Sequence, residues 1–140
     1  MRRWRKRCKR MGKTVAIDVR SHKVVSEWDV GSSDLQGLAL DTERGFLFVA
    51  CQDHVVSLDI GHDGKVTDSV TTGNGLDDID FSAEQKVLYA AASVTATLTI
   101  AEVSDDGKFH ARARPAAGDV RLPLPKCPAD GSARAEHSAE

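Results

Sequence analysis

Cysteine, aromatic residues and long apolar runs are all scarce in this chain of 140 residues. Its three cysteines, Cys8, Cys51 and Cys127, are odd in number and far apart, so we expect neither a disulfide framework nor a zinc site. No apolar run approaches the roughly 18 residues that a membrane-spanning helix needs. No apolar segment follows the charged N-terminus either, so the sequence predicts no transmembrane segment and no secretory signal peptide.

Short motifs for nucleotide binding and serine catalysis are also missing. The sequence has no Gly-x-x-x-x-Gly-Lys-Ser/Thr phosphate loop, no Gly-x-Gly-x-x-Gly turn and no Gly-x-Ser-x-Gly nucleophile elbow. The five histidines lie outside any nucleophile motif. We therefore predict a non-enzymatic chain with no catalytic residue and no cofactor.

Charge is distributed unevenly, although the net charge is only −2. Of the 19 basic residues, eight lie in the first 13 positions, which leaves 11 basic against 21 acidic residues and a formal charge of −10 for the rest. Residues 1–13 are predicted to be a disordered, solvated leader. The alternative is a segment that binds nucleic acid or anionic lipid, with these candidate residues: Arg2, Arg3, Arg5, Lys6 and Arg7. The acidic remainder favours the first interpretation, because it would repel the same polyanion.

The chain repeats itself, and the repeat predicts the fold. The first copy has segments 35–41, 45–51, 55–60 and 63–66, and the second has 76–81, 86–92, 98–103 and 106–109. The offset from Leu35 to Leu76 is 41 residues. A period of about 40–45 residues with four strands per unit is typical of a β-propeller blade. We predict an all-β fold, built from four-stranded antiparallel blades of an incomplete β-propeller.

The repeat also sets the expected boundaries of the blades. The predicted propeller region, 14–114, contains a partial blade at 14–30, a blade at 35–71 and a blade at 76–112. Residues 115–140 are predicted to be a disordered tail, because four prolines interrupt any strand pairing and the rest is small and polar.

The apolar strands of the repeat indicate how the blades pack. Residues 46–51 form a nearly continuous apolar run, as expected for a strand buried between neighbouring blades. An unclosed set of blades leaves a face open at each end, where Phe46, Phe48, Leu88 or Tyr89 are candidates for uncovered side chains. Such faces favour self-association or a protein partner.

These motifs resemble the YVTN/YncE-like family of seven-bladed β-propellers. The matching elements are Gly37-Leu-Ala-Leu-Asp41, Gly45-Phe-Leu-Phe-Val-Ala-Cys51, Val56-Ser-Leu-Asp-Ile60 with Asp63-Gly-Lys-Val66, and Gly73-Asn-Gly-Leu-Asp-Asp-Ile-Asp-Phe81. The Tyr-Val-Thr-Asn tetrapeptide itself is replaced, and roughly two and a half repeats stand where the family has seven. The resemblance implies a WD40-like, non-catalytic binding scaffold of bacterial origin. For full-length relatives it implies a periplasmic or exported location.

The densest polar cluster lies at the entry to the second full repeat. Asn74, Asp77 and Asp78 are candidate binding residues there, and the two aspartates are weak candidates for a metal site. The Asp-x-Asp-x-Asp-Gly spacing of a calcium loop is absent. Aspartates also recur at blade-related positions, where they line a cation channel or satisfy turn amides; we expect the second role, because their repetition follows the scaffold. They are Asp18, Asp41, Asp59 and Asp80.

Three hypotheses follow for the function. The chain is a fragment or remnant of a longer YncE-like propeller, with a binding role at most. Alternatively, it is a binding module that is completed by oligomerisation or by a partner chain. The third hypothesis is a subunit of a metal-dependent, lactonase-like propeller enzyme that uses Asp77 or Asp78.

Overall fold

Eleven β-strands make up the described part of the chain, which covers residues 2–6 and 12–113 of a computed structural model. Blade 1 consists of β1 (Arg2–Lys6), β2 (Lys13–Asp18) and β3 (Val24–Asp29). Blade 2 consists of β4 (Gly37–Asp41), β5 (Phe46–Ala50), β6 (His54–Asp59) and β7 (Lys65–Thr71). Blade 3 consists of β8 (Leu76–Ser82), β9 (Val87–Ala92), β10 (Thr97–Val103) and β11 (Phe109–Ala113).

Within each blade, strands that follow one another in the chain pair antiparallel. A 3₁₀ turn at Ile60–His62 links β6 to β7, and the described residues contain no α-helix. The predicted fold class is confirmed: the described residues are all-β, with two four-stranded antiparallel blades and one three-stranded blade of an incomplete propeller.

Strand β1 lies inside the segment that the sequence predicts to be a disordered leader. Its backbone pairs with β2, from Arg2 opposite Asp18 to Lys6 opposite Thr14. The structure therefore differs from the prediction at Arg2–Lys6, where the edge of β2 offers backbone hydrogen bonds that composition does not reveal. The predicted tail at 115–140 lies outside the described residues, as does Arg7.

Blade 2 is covered on both faces, and β5 is its most buried strand. The side chains of β5 alternate between the two faces, as they do in any strand. The cluster between blades 1 and 2 takes Leu47, Val49 and Cys51. The cluster between blades 2 and 3 takes Phe46, Phe48 and Ala50. This arrangement confirms the interpretation of residues 46–51 as a run buried between blades.

Aromatic rings join blade 2 to blade 3. The Phe48 ring is tilted against Phe81, with 5.0 Å between centroids, and against Phe109, with 5.8 Å. The expectation that Phe46, Phe48 and Leu88 are uncovered is wrong, because this packing buries all three. Only Tyr89 of that set remains half-exposed.

The repeated Asp-Gly-Lys turns have a packing role. Gly64 has φ +68°, and a Cβ atom built on it would lie 2.2 Å from the Trp28 ring of blade 1. Gly107 has φ +78°, and its Cβ would lie 2.6 Å from Cε1 of Phe46 in blade 2. In blades 2 and 3, the turn that leads to the last strand, here called the outer turn, therefore places a glycine in contact with an aromatic ring of the preceding blade. Glycine is required there both for its left-handed backbone and for the space.

Arg44 joins blades 2 and 3 at their outer edge through its guanidinium group. Its Nε donates to Asp41 Oδ2 over 2.5 Å, and Asp41 is only 2% exposed. Its Nη1 donates to the carbonyl oxygens of Val103 at 3.0 Å and Ser104 at 3.1 Å in blade 3. A guanidinium that bridges a buried carboxylate and two carbonyls holds the turns of blades 2 and 3 in one arrangement.

Candidate binding surface

The two candidate aspartates lie at the start of β8, the first strand of blade 3. The pairing of β8 with β9 shifts between Leu76 and Asp78, so Asp77 is the extra residue of a β-bulge. A bulge twists a strand locally and redirects the side chains beside it. Asp77 and Asp78 are both exposed, and neither side chain has a hydrogen bond or ion pair to any described residue.

Asn74 has a structural role in the loop that enters β8. Its Oδ1 accepts a hydrogen bond from Gln52 Nε2 at 3.2 Å and another from the Gly75 amide at 2.9 Å. The Gln52 carbonyl also accepts from the amides of Gly75 and Leu76, at 3.0 and 3.1 Å. Asn74 thus fixes the crossing from blade 2 to blade 3, and its carbonyl oxygen is already engaged.

The structure does not unite the candidate residues in one site. Arg2, Arg3, Arg5 and Lys6 belong to β1 in blade 1, and blade 2 lies between that strand and the aspartates of blade 3. In the described part of the chain, no three His, Cys, Asp or Glu side chains are grouped closely enough to hold a metal ion.

Three of the four recurring aspartates bind backbone amides at turns, in agreement with their expected role, whereas Asp80 lies within β8 and its Oδ1 accepts from the Phe81 amide at 2.9 Å. Asp18 Oδ1 accepts from the Arg20 amide at 2.8 Å, and Asp41 Oδ1 accepts from the Glu43 amide at 3.2 Å. Asp59 Oδ1 accepts from Gly61 at 2.9 Å. These side chains hold hairpin loops closed.

A larger surface emerges from the register of blade 3; the sequence predicts an open face with Tyr89 as a candidate, but not the residues that surround Tyr89. Residues directly opposite each other in paired strands share a face of the sheet. Asp80 is opposite Tyr89, which is opposite Ile100. Asp78 is opposite Ala91, which is opposite Leu98. The alternate residues, among them Ile79, Leu88 and Ala90, pack against blade 2.

We call the opposite side the outward face of blade 3. By register it consists of Asp78, Asp80, Ser82, Val87, Tyr89, Ala91, Leu98, Ile100 and Glu102, and Glu102 forms an ion pair with Arg112 of β11. The aspartates are exposed, whereas Tyr89, Leu98 and Ile100 are half-buried. Apolar side chains in the centre with carboxylates along one edge match the general anatomy of an interface, an apolar core with a polar rim.

The outward face differs in character from the face of blade 2 that blade 3 covers. By register, Gly37 and Ala39 in β4 correspond to Asp78 and Asp80 in β8. A Cβ on Gly37 would lie 3.6 Å from Cγ1 of Ile79, so the next blade approaches closely there. On the outward face a carboxylate occupies that position, which makes the face acidic.

Apart from the outward face, a concavity lies between the outer turns of blades 2 and 3. It has a volume of about 320 Å³ and is lined by Asp59, His62, Lys65, Val66, Thr67, Asp106 and Lys108. The hydroxyl of Ser104 and the neighbouring Lys108 lower the pKa of Asp106 to about 2. Carboxylates and ammonium groups balance each other in this groove, so it presents no strong net charge to a ligand.

Comparison by sequence matches no protein-family model and no curated protein. Comparison by structure gives many matches. A putative 6-phosphogluconolactonase from Bacteroides fragilis superposes with a TM-score of 0.63 at 15% identity, covering 74% of this chain and 32% of that one. The β-propeller domain of Cps50 (Swd1) from Myceliophteria thermophila gives 0.55 at 19% identity, covering 66% and 28%. BamB from Moraxella catarrhalis gives 0.57 at 11% identity, covering 76% and 30%.

These likenesses define the class of the fold: the described residues have the architecture of β-propeller blades. The chain spans between 28% and 32% of the length of these structures. One of them is named as a putative lactonase and the other two are not, so the shared fold leaves the function undetermined. No helix in residues 2–6 and 12–113 is long and apolar enough to cross a membrane.

Proposed function

We propose that this chain is a non-catalytic interaction scaffold of the YVTN/YncE type, which binds polypeptide through an open blade face. The supporting observation is the outward face of blade 3. Tyr89 is half-exposed there, whereas Phe48, at the equivalent register position in blade 2, is fully buried by the next blade. Exposed apolar surface rimmed by polar groups is typical of sites that bind other proteins.

Charge on the inner strand supports a polypeptide rather than a nucleic acid at this face. Asp77, Asp78 and Asp80 are all exposed on β8. Their carboxylates would repel phosphate groups and attract arginine or lysine side chains. A structural neighbour from the mitotic checkpoint complex, which is a protein assembly by its name, also supports a scaffold role.

The single tyrosine of the chain provides a direct test. Incorporation of fluorotyrosine gives one ¹⁹F signal, from Tyr89, on the outward face. Fluorotryptophan gives two further signals, from Trp4 in the basic segment and from Trp28, which is buried between blades 1 and 2. The labelled chain is titrated separately with unlabelled chain, duplex DNA and anionic vesicles.

We expect the Tyr89 signal to shift with the unlabelled chain and to stay constant with DNA and vesicles. Trp28 is the internal control, because a shift of its signal would report a change in blade packing. A Tyr89 signal that never moves, together with a Trp4 signal that moves with DNA, would contradict the proposal. That result would favour binding of nucleic acid through the basic segment.

A further inference from the structure

We infer that the outward face of blade 3 docks blade 1 of a second copy of this chain, so that copies associate head to tail. This inference rests on the proposed function and names the partner of the same face. It is carried by the opposite charge of the two end blades and by the order in which the blades pack.

The packing order places the two end blades on opposite faces of blade 2. One apolar cluster joins blade 1 to blade 2, and the other joins blade 2 to blade 3. Blade 2 has no free face, so a second copy meets blade 1 or blade 3. Blades stack face to face throughout this chain, and a contact between blade 3 and another blade 1 extends the same packing.

Charge determines which faces meet. Of the four basic residues in β1, Arg3 and Arg5 hold the register positions opposite Ile17 and Val15, which alternate with the Ala16 position packed against blade 2. Strand β8 carries three aspartates among its seven residues. Two copies that join through identical ends would bring like charges together, which is unfavourable across an interface. Blade 1 against blade 3 brings opposite charges together. Such a contact is heterologous, so its repetition closes a ring or extends a chain of copies.

The outward face of blade 3 has aspartates where the covered face of blade 2 has small residues, and this difference also favours blade 1 as the partner. Blade 3 packs on Gly37 and Ala39 of blade 2 with an apolar surface. The corresponding Asp78 and Asp80 on the outward face would leave unpaired charges under an apolar blade, which costs free energy. A blade with a basic strand supplies partners for those carboxylates. Tyr89, Leu98 and Ile100 provide apolar contact beside them.

The test is a charge exchange between the two end blades, measured by light scattering on the full chain. The first variant is Asp78→Lys with Asp80→Lys, and the second is Arg3→Glu with Arg5→Glu. A matched control, Asp34→Lys with Glu43→Lys, reverses two exposed carboxylates away from the outward face. Circular dichroism melts establish that each variant still folds cooperatively.

We expect the wild-type chain in low salt to show at least twice the 15.1 kDa of one copy. Each end-blade variant should weaken association at least about a hundredfold, because like charges then face each other. The control variant should associate like the wild type. An equimolar mixture of the two end-blade variants should regain at least twice the single mass, since both contacts between unlike variants have opposite charges: the two exchanged faces meet each other, and the two unchanged faces meet each other.

Three results would overturn the inference. A wild-type chain that stays at 15.1 kDa in low salt has no such contact. Association that survives both charge reversals uses another surface. A mixture that fails to regain the double mass, from variants that are folded, refutes the pairing of these two blades. If association persists in the variants and still shifts the Tyr89 signal, the head-to-tail contact is wrong while the proposed scaffold function stands.

Discussion

Replacement of Phe48 by alanine is expected to destabilise the protein far more than replacement of Tyr89, although the two residues occupy equivalent positions in successive blades. Phe48 is fully buried, and its ring packs against Phe81 and Phe109 of blade 3 at 5.0 and 5.8 Å. Truncation of a buried phenylalanine to alanine costs about 3–5 kcal/mol, since a cavity remains. That loss is a large share of the roughly 5–15 kcal/mol that stabilises an ordinary domain.

The Tyr89 side chain makes fewer stabilising contacts than that of Phe48. It lies half-exposed on the outward face, and its hydroxyl donates to Gln85 Oε1 at 2.9 Å in an exposed hydrogen bond. Partial burial and one exposed hydrogen bond together contribute roughly 1–2 kcal/mol. The Phe48→Ala variant should therefore lose about 1–4 kcal/mol more than Tyr89→Ala.

Urea denaturation of both variants measures this difference. The denaturation uses dilute protein in high salt, so that association through charged faces does not contribute to the measured stability. The slope of the unfolding free energy against urea should match the wild type, so that a shifted midpoint reports stability alone. Equal losses for the two variants would refute the reasoning, because they would mean that the outward face of blade 3 is as well covered as the interface between blades 2 and 3.

Three further outcomes are expected. Gly64→Ala should lower the unfolding free energy by roughly 2–5 kcal/mol, because the added methyl group would clash with the Trp28 ring and the backbone there has a positive φ. Gly31 also has a positive φ, +75°, but has open space around it, so Gly31→Ala should lower the unfolding free energy by only about 1–2 kcal/mol in the same denaturation assay. Arg44→Met should cost about 3–5 kcal/mol in thermal unfolding, since it leaves a buried carboxylate unpaired; no change would mean that the bridge between blades contributes nothing. The pKa of Asp106 should be about 2 in an NMR titration and should rise in Ser104→Ala. Because this pKa lies below the usual 3.8, the interactions of the carboxylate stabilise the fold above about pH 4 and are lost as the pH falls toward 2.

Much of the architecture could be predicted from the repeat, because strand period and turn chemistry are local properties. The apolar run at residues 46–51 predicts a strand covered on both faces, and the structure buries every residue of β5. The repeated Asp-Gly turns predict tight hairpins. They do not predict that Gly64 and Gly107 face aromatic rings, because that contact joins different blades.

Two features could not be predicted, for different physical reasons. Strand β1 is basic and has no apolar alternation, and it forms through backbone hydrogen bonds to the edge of β2. The acidic outward face depends on which faces the neighbouring blades cover. The 41-residue repeat aligns Asp78 with Gly37, but only the packing shows that Gly37 is covered by Ile79 of the next blade and that Asp78 is exposed.

The central claim is that three blades stack in chain order, with blade 2 enclosed and the outward face of blade 3 open. Native-state amide hydrogen exchange, resolved by residue, tests it most directly, because exchange of enclosed strands requires global unfolding. We predict that the amides of β5 and β6 exchange most slowly, and that those of β3 and β11 exchange faster through local opening. Uniform protection across all three blades, or exchange of β5 as rapid as that of β3, would contradict the account.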